Sequence, residues 1–256
     1  MTFLYALPMF RGRTRLFRAL DACLGARVRV ARFDVKLCTY LASAQDASFF
    51  VREEHNSILS DAIAALPDNG VFLDCGSNCG FYSALAARRL GSDGIVVSIE
   101  PSYREYTRLI SAVSANSHDC TWVTMNVGVG AGHGVLHLDT TVGHTGMNRM
   151  SKEQIVGQAC AVYPVDDLVE SMLKDRSQID LIKIDVEGFE MEVIRGVQNS
   201  LRQGKIRKLI IEVTDQFLKK SGSSKAELFG FLSDCGYDPQ VRSEAWQYDE
   251  VFVPRQ

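Results

Sequence analysis

Short runs of consecutive apolar residues alternate through the middle of the chain with longer stretches whose apolar positions recur every three or four residues. Val71–Leu73, Ile95–Ile99, Leu181–Ile184 and Leu209–Ile211 are nearly unbroken runs rich in branched residues, which suits strands buried on both faces. Pro67-Asp68-Asn69-Gly70 signals a turn before the first of them. The pattern predicts strands at Val71–Leu73 leading into Asp74, at Ile95–Ile99, Thr121–Val129, Leu181–Asp185 and Lys208–Thr214, with a β-rich excursion at Gly134–Leu138. Helices are predicted over Asn78–Leu90, Ser102–Ala115, Val165–Lys174 and Glu190–Leu201. Such alternation implies an α/β fold with a mostly parallel sheet and helices on both faces. Gln240–Val253 reads as an antiparallel hairpin closing the sheet, and Val28–Val30, Phe33–Leu37 and Phe49–Val51 as β segments of an N-terminal hairpin or cap. No repeat or linker interrupts the pattern, so residues 1–60 read as an extension and 61–256 as one globular unit.

Composition narrows the partners. The 256 residues are 46% hydrophobic and 23% charged with a formal net charge of -3, which disfavours a nucleic-acid binder because phosphate contacts need excess basic charge. The charge is uneven: residues 1–33 hold seven Arg and a single acid, Asp21. Interleaved with Leu16, Phe17, Leu20 and Leu24, they read either as a solvated helix packed on the domain or as a peripheral contact with an anionic inner-membrane surface. Seven scattered Cys without a Cys-x-x-Cys pair read as reduced cytoplasmic thiols, and the apolar-first, basic-later order of the opening residues is the reverse of an export signal.

The candidate chemistry begins after the first strand. Asp74-Cys75-Gly76-Ser77-Asn78-Cys79-Gly80-Phe81 occupies the place where an open α/β sheet binds ligands. Gly76 and Gly80 allow tight turns, and Asn78 tolerates a left-handed backbone. Asp74 places a carboxylate at the mouth of this loop that repels a pyrophosphate and attracts an ammonium, the following helix N-terminus takes a carboxylate, and Glu100 at the end of the second strand accepts from ribose hydroxyls. S-adenosyl-L-methionine carries all three groups. Ser77, Phe81, Pro101, Ser102, Asn126 and Asp185 complete the candidate cofactor set.

A second motif joins the first. Lys183-Ile184-Asp185-Val186-Glu187-Gly188-Phe189-Glu190, followed by Val193-Ile194-Arg195-Gly196, resembles the signature of FkbM-family S-adenosylmethionine-dependent methyltransferases. Leu73–Ser83, Ile99-Glu100-Pro101, Val165-Asp166-Asp167-Leu168 and Ile210-Ile211-Glu212-Val213 follow that family's pattern in order, and the resemblance covers residues 70–215. It implies a class I methyltransferase, Rossmann-like fold with a seven-stranded sheet. It also implies O-methylation of a hydroxyl on a sugar, glycolipid, glycan or polyketide-type product. Asp74, Gly76, Asn78, Gly80 and Glu100 are carried over as cofactor positions, and Asp185 and Glu187 as active-site acids. Cys75 and Cys79 stand where the family often has aliphatic residues, and residues 1–60 match nothing in it.

Methyl transfer needs an aligned acceptor oxygen and a route for its proton. Asp185, at the end of the fourth strand, is the first candidate, with Glu187 and Glu212 as partners and His144 in a Gly-bearing loop as an alternative base. The same three carboxylates could instead hold Mg²⁺, which is not the favoured reading, and no residue is assigned to a metal. Lys183, embedded in a strand, must pair with an acid or snorkel. Asp166-Asp167 reads as an N-cap pair for its own helix. Two other functions compete: a silent cofactor-binding scaffold and an NAD-dependent dehydrogenase. The second is weakened because no Tyr is followed four residues later by Lys.

Overall fold

A computed structural model of the chain describes residues 13–51, 57–138, 150–151, 157–173, 176–241, 243 and 245–255. Helix α1 (Arg13–Leu24) leads into a hairpin of β1 (Arg27–Val30) and β2 (Lys36–Thr39), then α2 (Ala44–Val51) and α3 (Ser57–Ala64). The alternating region follows: β3 (Val71–Cys75), α4 (Phe81–Arg89), β4 (Ile95–Ile99), α5 (Tyr103–Ala115) and β5 (Thr121–Met125). After it come β6 (Gly128–Val129), β7 (Gly134–Leu138), β8 (Met150–Ser151) and β9 (Gln158–Tyr163). The chain then returns through α6 (Val165–Met172), β10 (Leu181–Ile184), α7 (Glu190–Gly196), α8 (Gln198–Arg202) and β11 (Leu209–Val213). It ends in α9 (Asp215–Lys220), α10 (Lys225–Asp234), β12 (Tyr237–Pro239) and β13 (Tyr248–Pro254).

Seven strands form the main sheet in the order β12-β13-β11-β10-β3-β4-β5. The pairs among β11, β10, β3, β4 and β5 are parallel, while β13 runs antiparallel to both β11 and β12. Numbered by their own sequence, the strands read 3-2-1-4-5-7-6 with the seventh reversed, the class I methyltransferase arrangement. Alternation along each strand serves both faces. Val71, Leu73, Val97, Ile99, Ile182, Ile184, Leu209 and Ile211 pack into one core with α6, α7, α8 and α10. Phe72, Val96, Leu181 and Ile210 pack into another with α3 and α4.

That alternation also sorts the polar residues. Asp74, Ser98 and Lys183 share the α4 face, and the register sets Asp74 directly beside both others. Glu212 lies on the same face, opposite Asp249 of β13.

Several local expectations need correction. Phe49–Val51 is helical rather than extended: Ser43 Oγ accepts the Asp46 amide at 3.0 Å, an N-terminal cap that starts α2. The strand predicted over Thr121–Val129 stops at Met125, and Gly128–Val129 leaves for a second sheet, ordered β6-β9-β7-β8. The helix predicted over Glu190–Leu201 breaks at Val197. There Asp166 accepts the amides of Asn199 (2.8 Å) and Ser200 (2.9 Å), so it caps α8 across the fold while α6 has no side-chain cap.

Candidate active site

The carboxyl ends of β3, β10 and β11 open onto a cavity of about 620 Å³. Gly76, Ser77 and Asn78 from the loop after β3 line it, as do Lys183, Asp185 and Glu187 from the end of β10 and Glu212 from β11. Phe81 and Tyr82 of α4 form an aromatic wall. Ser48, Phe49 and Ile58 of the N-terminal extension close one side, and Val241, Ser243, Gln247, Tyr248 and Asp249 of the C-terminal hairpin the other. Phe49 stacks on Phe81 with ring centroids 4.9 Å apart, so the extension holds the start of α4 directly.

The loop's backbone explains its residues. Gly76 sits at φ +81°, where an added Cβ would lie 1.8 Å from the Asp185 carbonyl oxygen, so no larger residue fits while β3 and β10 stay paired. Asn78 is left-handed at φ +50° and its amide donates to Glu100 Oε2 at 2.8 Å. Gly80 precedes α4 without a side-chain cap, and the first amides of α4 have no intrahelical acceptor. An anion at that position would complete the helix end.

Asp74 lies beneath the loop rather than at its mouth, at 1% exposure. Its Oδ1 is 3.1 Å from Lys183 Nζ and its Oδ2 accepts Ser83 Oγ at 2.5 Å. The carboxylate expected at the mouth is therefore a buried ion pair, because strand register brings a lysine beside it. Behind it, Ser98 Oγ donates to Ser83 Oγ (2.7 Å) and Trp122 Nε1 to Ser98 Oγ (2.8 Å). Lys183 also donates to the Gly76 carbonyl (2.9 Å) and lies 3.4 Å from Asp185 Oδ2. Burial pulls the Lys183 ammonium's pKa down, but Asp74 and Asp185 more than reverse this and the net direction is upward. One cation thus ties β3, the loop and Asp185 together.

Glu100 follows β4, with Oε1 accepting the Ser102 amide at 2.9 Å and Oε2 the Asn78 amide. Burial raises its pKa to about 7 against those two donors. Two amide contacts leave lone pairs on the carboxylate for further donors. Ser102 caps α5, and Asn126 Nδ2 donates to the carbonyls of Glu100 (2.8 Å) and Pro101 (3.0 Å), so both shape this turn from behind.

Around the opening, the acids outnumber the bases. Asp185 is partly open to the cavity, and Glu212 is pushed well above the carboxylate range by burial first, then by the charges of Asp185, Glu187 and Asp249, against a hydrogen bond from Gln247. Glu187 is left-handed at φ +54° and Gly188 at +105°. Glu190, at 2% exposure, fastens this turn by accepting the amides of Gly188 (2.9 Å) and Val186 (3.3 Å), and burial raises its pKa to about 7.

Two features escaped the sequence reading. The role of Glu190 was within reach, since its carboxyl follows two residues after a glycine in a strand-ending motif. The contributions of Ser48, Phe49, Gln247 and Asp249 were not, because nothing local points them at one cavity. His144 lies outside the described residues. Cys75 and Cys79 are fully buried and burial pushes both thiols up, Cys75 to about 12. Among the described residues no group of three or more His, Cys, Asp or Glu is arranged to hold a metal ion.

Compared with known proteins, residues 74–239 match the methyltransferase FkbM domain. The methyltransferase sdnD of Sordaria araneosa is 23% identical over 244 residues, covering 84% of this chain and 91% of that protein. Among solved structures, an rRNA methylase from Streptococcus thermophilus superposes with a TM-score of 0.45 at 11% identity, over 77% of this chain and 94% of that one. The precorrin-6y C5,15-methyltransferase of Geobacter metallireducens GS-15 gives 0.44 at 14% identity, over 81% and 90%.

Proposed function

The chain belongs to the FkbM methyltransferase family, and on that premise we propose that it transfers the methyl group of S-adenosyl-L-methionine to a hydroxyl of a sugar, glycolipid, glycan or polyketide-type acceptor. The observation that carries the reading is the shared cavity, in which the glycine loop after β3 and the acids after β10 and on β11 face one another. The residues suit the cofactor by their chemistry. The uncapped start of α4 offers amides to a carboxylate, Glu100 offers acceptor capacity to ribose hydroxyls, and the surplus of acids at the opening favours cationic groups. When bound, S-adenosyl-L-methionine supplies an electrophilic methyl group.

The chain's own groups have two tasks: holding an acceptor oxygen in line and receiving its proton. Asp185 takes the second, since it borders the cavity and Lys183, 3.4 Å away, steadies its charge. Glu212, kept protonated by burial and by its acidic neighbours, serves as a hydrogen-bond donor toward Asp185 or the acceptor. Glu187 lines the same opening. Phe49, Phe81 and Tyr82 give an apolar wall against which a sugar ring or an aliphatic acceptor packs.

The acidic opening argues against a nucleic-acid acceptor, because it would repel a phosphodiester. The seven Cys among the described residues are free thiols, which supports a reducing compartment. Calorimetry should show S-adenosyl-L-methionine binding and no NAD binding. Asp185→Asn should retain cofactor binding while losing transfer of labelled methyl to acceptors. Heat with NAD but none with S-adenosyl-L-methionine would overturn the assignment, and full turnover by Asp185→Asn would remove that residue from the chemistry.

A further inference from the structure

Five of the ten exposed large hydrophobics among the described residues fall between residues 16 and 33: Leu16, Leu24, Val28, Val30 and Phe33, each 46 to 55% exposed. Their placement is systematic. On α1, Phe17 and Leu20 turn inward onto the core that also contains Phe49 and Phe81, while Leu16 and Leu24, one turn either side of Leu20, face solvent. On β1, Val28 and Val30 project outward and Arg29 between them turns inward, donating to Thr39 Oγ1 at 3.0 Å. Phe33 stands at the tip of the hairpin with φ +57°, next to Asp34 at +56°.

The exposed charges around these residues are mostly of one sign. Arg15, Arg18, Arg27 and Lys36 are exposed against the single exposed acid Asp34. Asp21 is occupied by the amides of Leu41 (2.8 Å) and Ala42 (2.7 Å). Exposed apolar side chains interleaved with arginines along both elements match the layered chemistry of a bilayer, with acyl chains beneath anionic headgroups. We propose that α1 and the β1–β2 hairpin form a docking surface for anionic lipid membranes, with Phe33, Val30 and Leu16 inserting and Arg15, Arg18 and Arg27 meeting headgroup phosphates. The same extension supplies Ser48 and Phe49 to the cavity, so the segment that docks is continuous with one wall of the site. The proposal does not depend on methyl transfer, since its readout needs neither cofactor nor acceptor.

The test is flotation of the full chain with vesicles of phosphatidylcholine alone and of phosphatidylcholine mixed with phosphatidylglycerol. The expected result is recovery with the anionic vesicles only, decreasing as salt is raised. Arg15→Gln combined with Arg18→Gln should weaken partitioning at least about tenfold, at roughly 1 kcal/mol for each basic residue near such a surface. Phe33→Gly should weaken it as well, and glycine accepts that backbone angle, so the variant keeps its fold. No recovery with anionic vesicles, equal recovery with neutral ones, or full binding by both variants would overturn the proposal. A face covered instead by a second copy or by the chain's own first twelve residues would give the first of these outcomes.

Discussion

Replacing Lys183 by Met removes the cation that touches Asp74, the Gly76 carbonyl and Asp185. Methionine fills a similar volume, so the loss is electrostatic and not a cavity. Asp74, at 1% exposure and paired with Ser83 on its other oxygen, must then keep a buried charge without its partner or take up a proton. Breaking a buried pair in this way costs about 3 to 5 kcal/mol. In a chain of this size each kcal/mol moves the midpoint by roughly 2 to 4 °C, so thermal unfolding without ligand should fall by about 6 to 20 °C. The raised Lys183 pKa means that its contribution is fully present below the ordinary value of 10.5 and is lost only as pH climbs above it, so a measurement at pH 7 reads all of it. Lys183→Met combined with Asp74→Asn removes both charges and should recover more than half of the loss. Circular dichroism melts of the four proteins complete the cycle. A single variant within about 1 kcal/mol of wild type, or a double variant no better than the single, would refute the pairing as the element that holds the loop to the sheet.

Other outcomes follow from the same geometry. Gly76→Ala puts a Cβ 1.8 Å from the Asp185 carbonyl oxygen, so titration calorimetry should show cofactor affinity at least about tenfold weaker as the loop is forced off β10. Affinity for S-adenosyl-L-methionine should decline as pH drops through about 7, where Glu100 gains a proton and loses acceptor capacity, and Glu100→Gln should bind weakly with a flat profile. For Glu212 the folded pKa of about 9 exceeds the ordinary 4.5, so the folded state holds a proton that the unfolded chain releases and stability decreases as pH rises between those values. Scanning fluorimetry should therefore show Glu212→Gln melting increasingly above wild type from pH 5 to pH 9, and a gap that shrinks over that range would contradict the buried, protonated state.

Much of the sheet was legible because strands buried on both faces leave unbroken apolar runs, and the single polar residue near the end of each run marks the ligand edge. Asp74, Ser98, Lys183 and Glu212 are those residues, in VFLDC, IVVSI, LIKI and LIIEV. That Lys183 neutralises Asp74 was not legible, because the pair is separated by more than a hundred residues and is decided by register between β3 and β10. Local helices were missed where two signals conflicted. Phe49, Phe50 and Val51 look like strand by composition, whereas Ser43 followed by Asp46 caps a helix. α10 carried a readable start, since Ser224 caps the Glu227 amide three residues on. Neither side of the cavity, the one formed by Ser48, Phe49 and Ile58 or the one formed by Val241, Ser243, Gln247, Tyr248 and Asp249, could be found from spacing, because those residues meet the loop only through the closed fold.

The stacking of Phe49 on Phe81 ties α2 to the start of α4, so this part of the extension bears directly on the shape of the cavity. A shortened chain starting near residue 61 would bare one aromatic flank of α4 to water and lose one wall of the cavity. Under the proposed function, exchanging the residues around Phe49 while keeping a ring at that position would be the way to redirect which acceptors enter, leaving the loop after β3 as it stands.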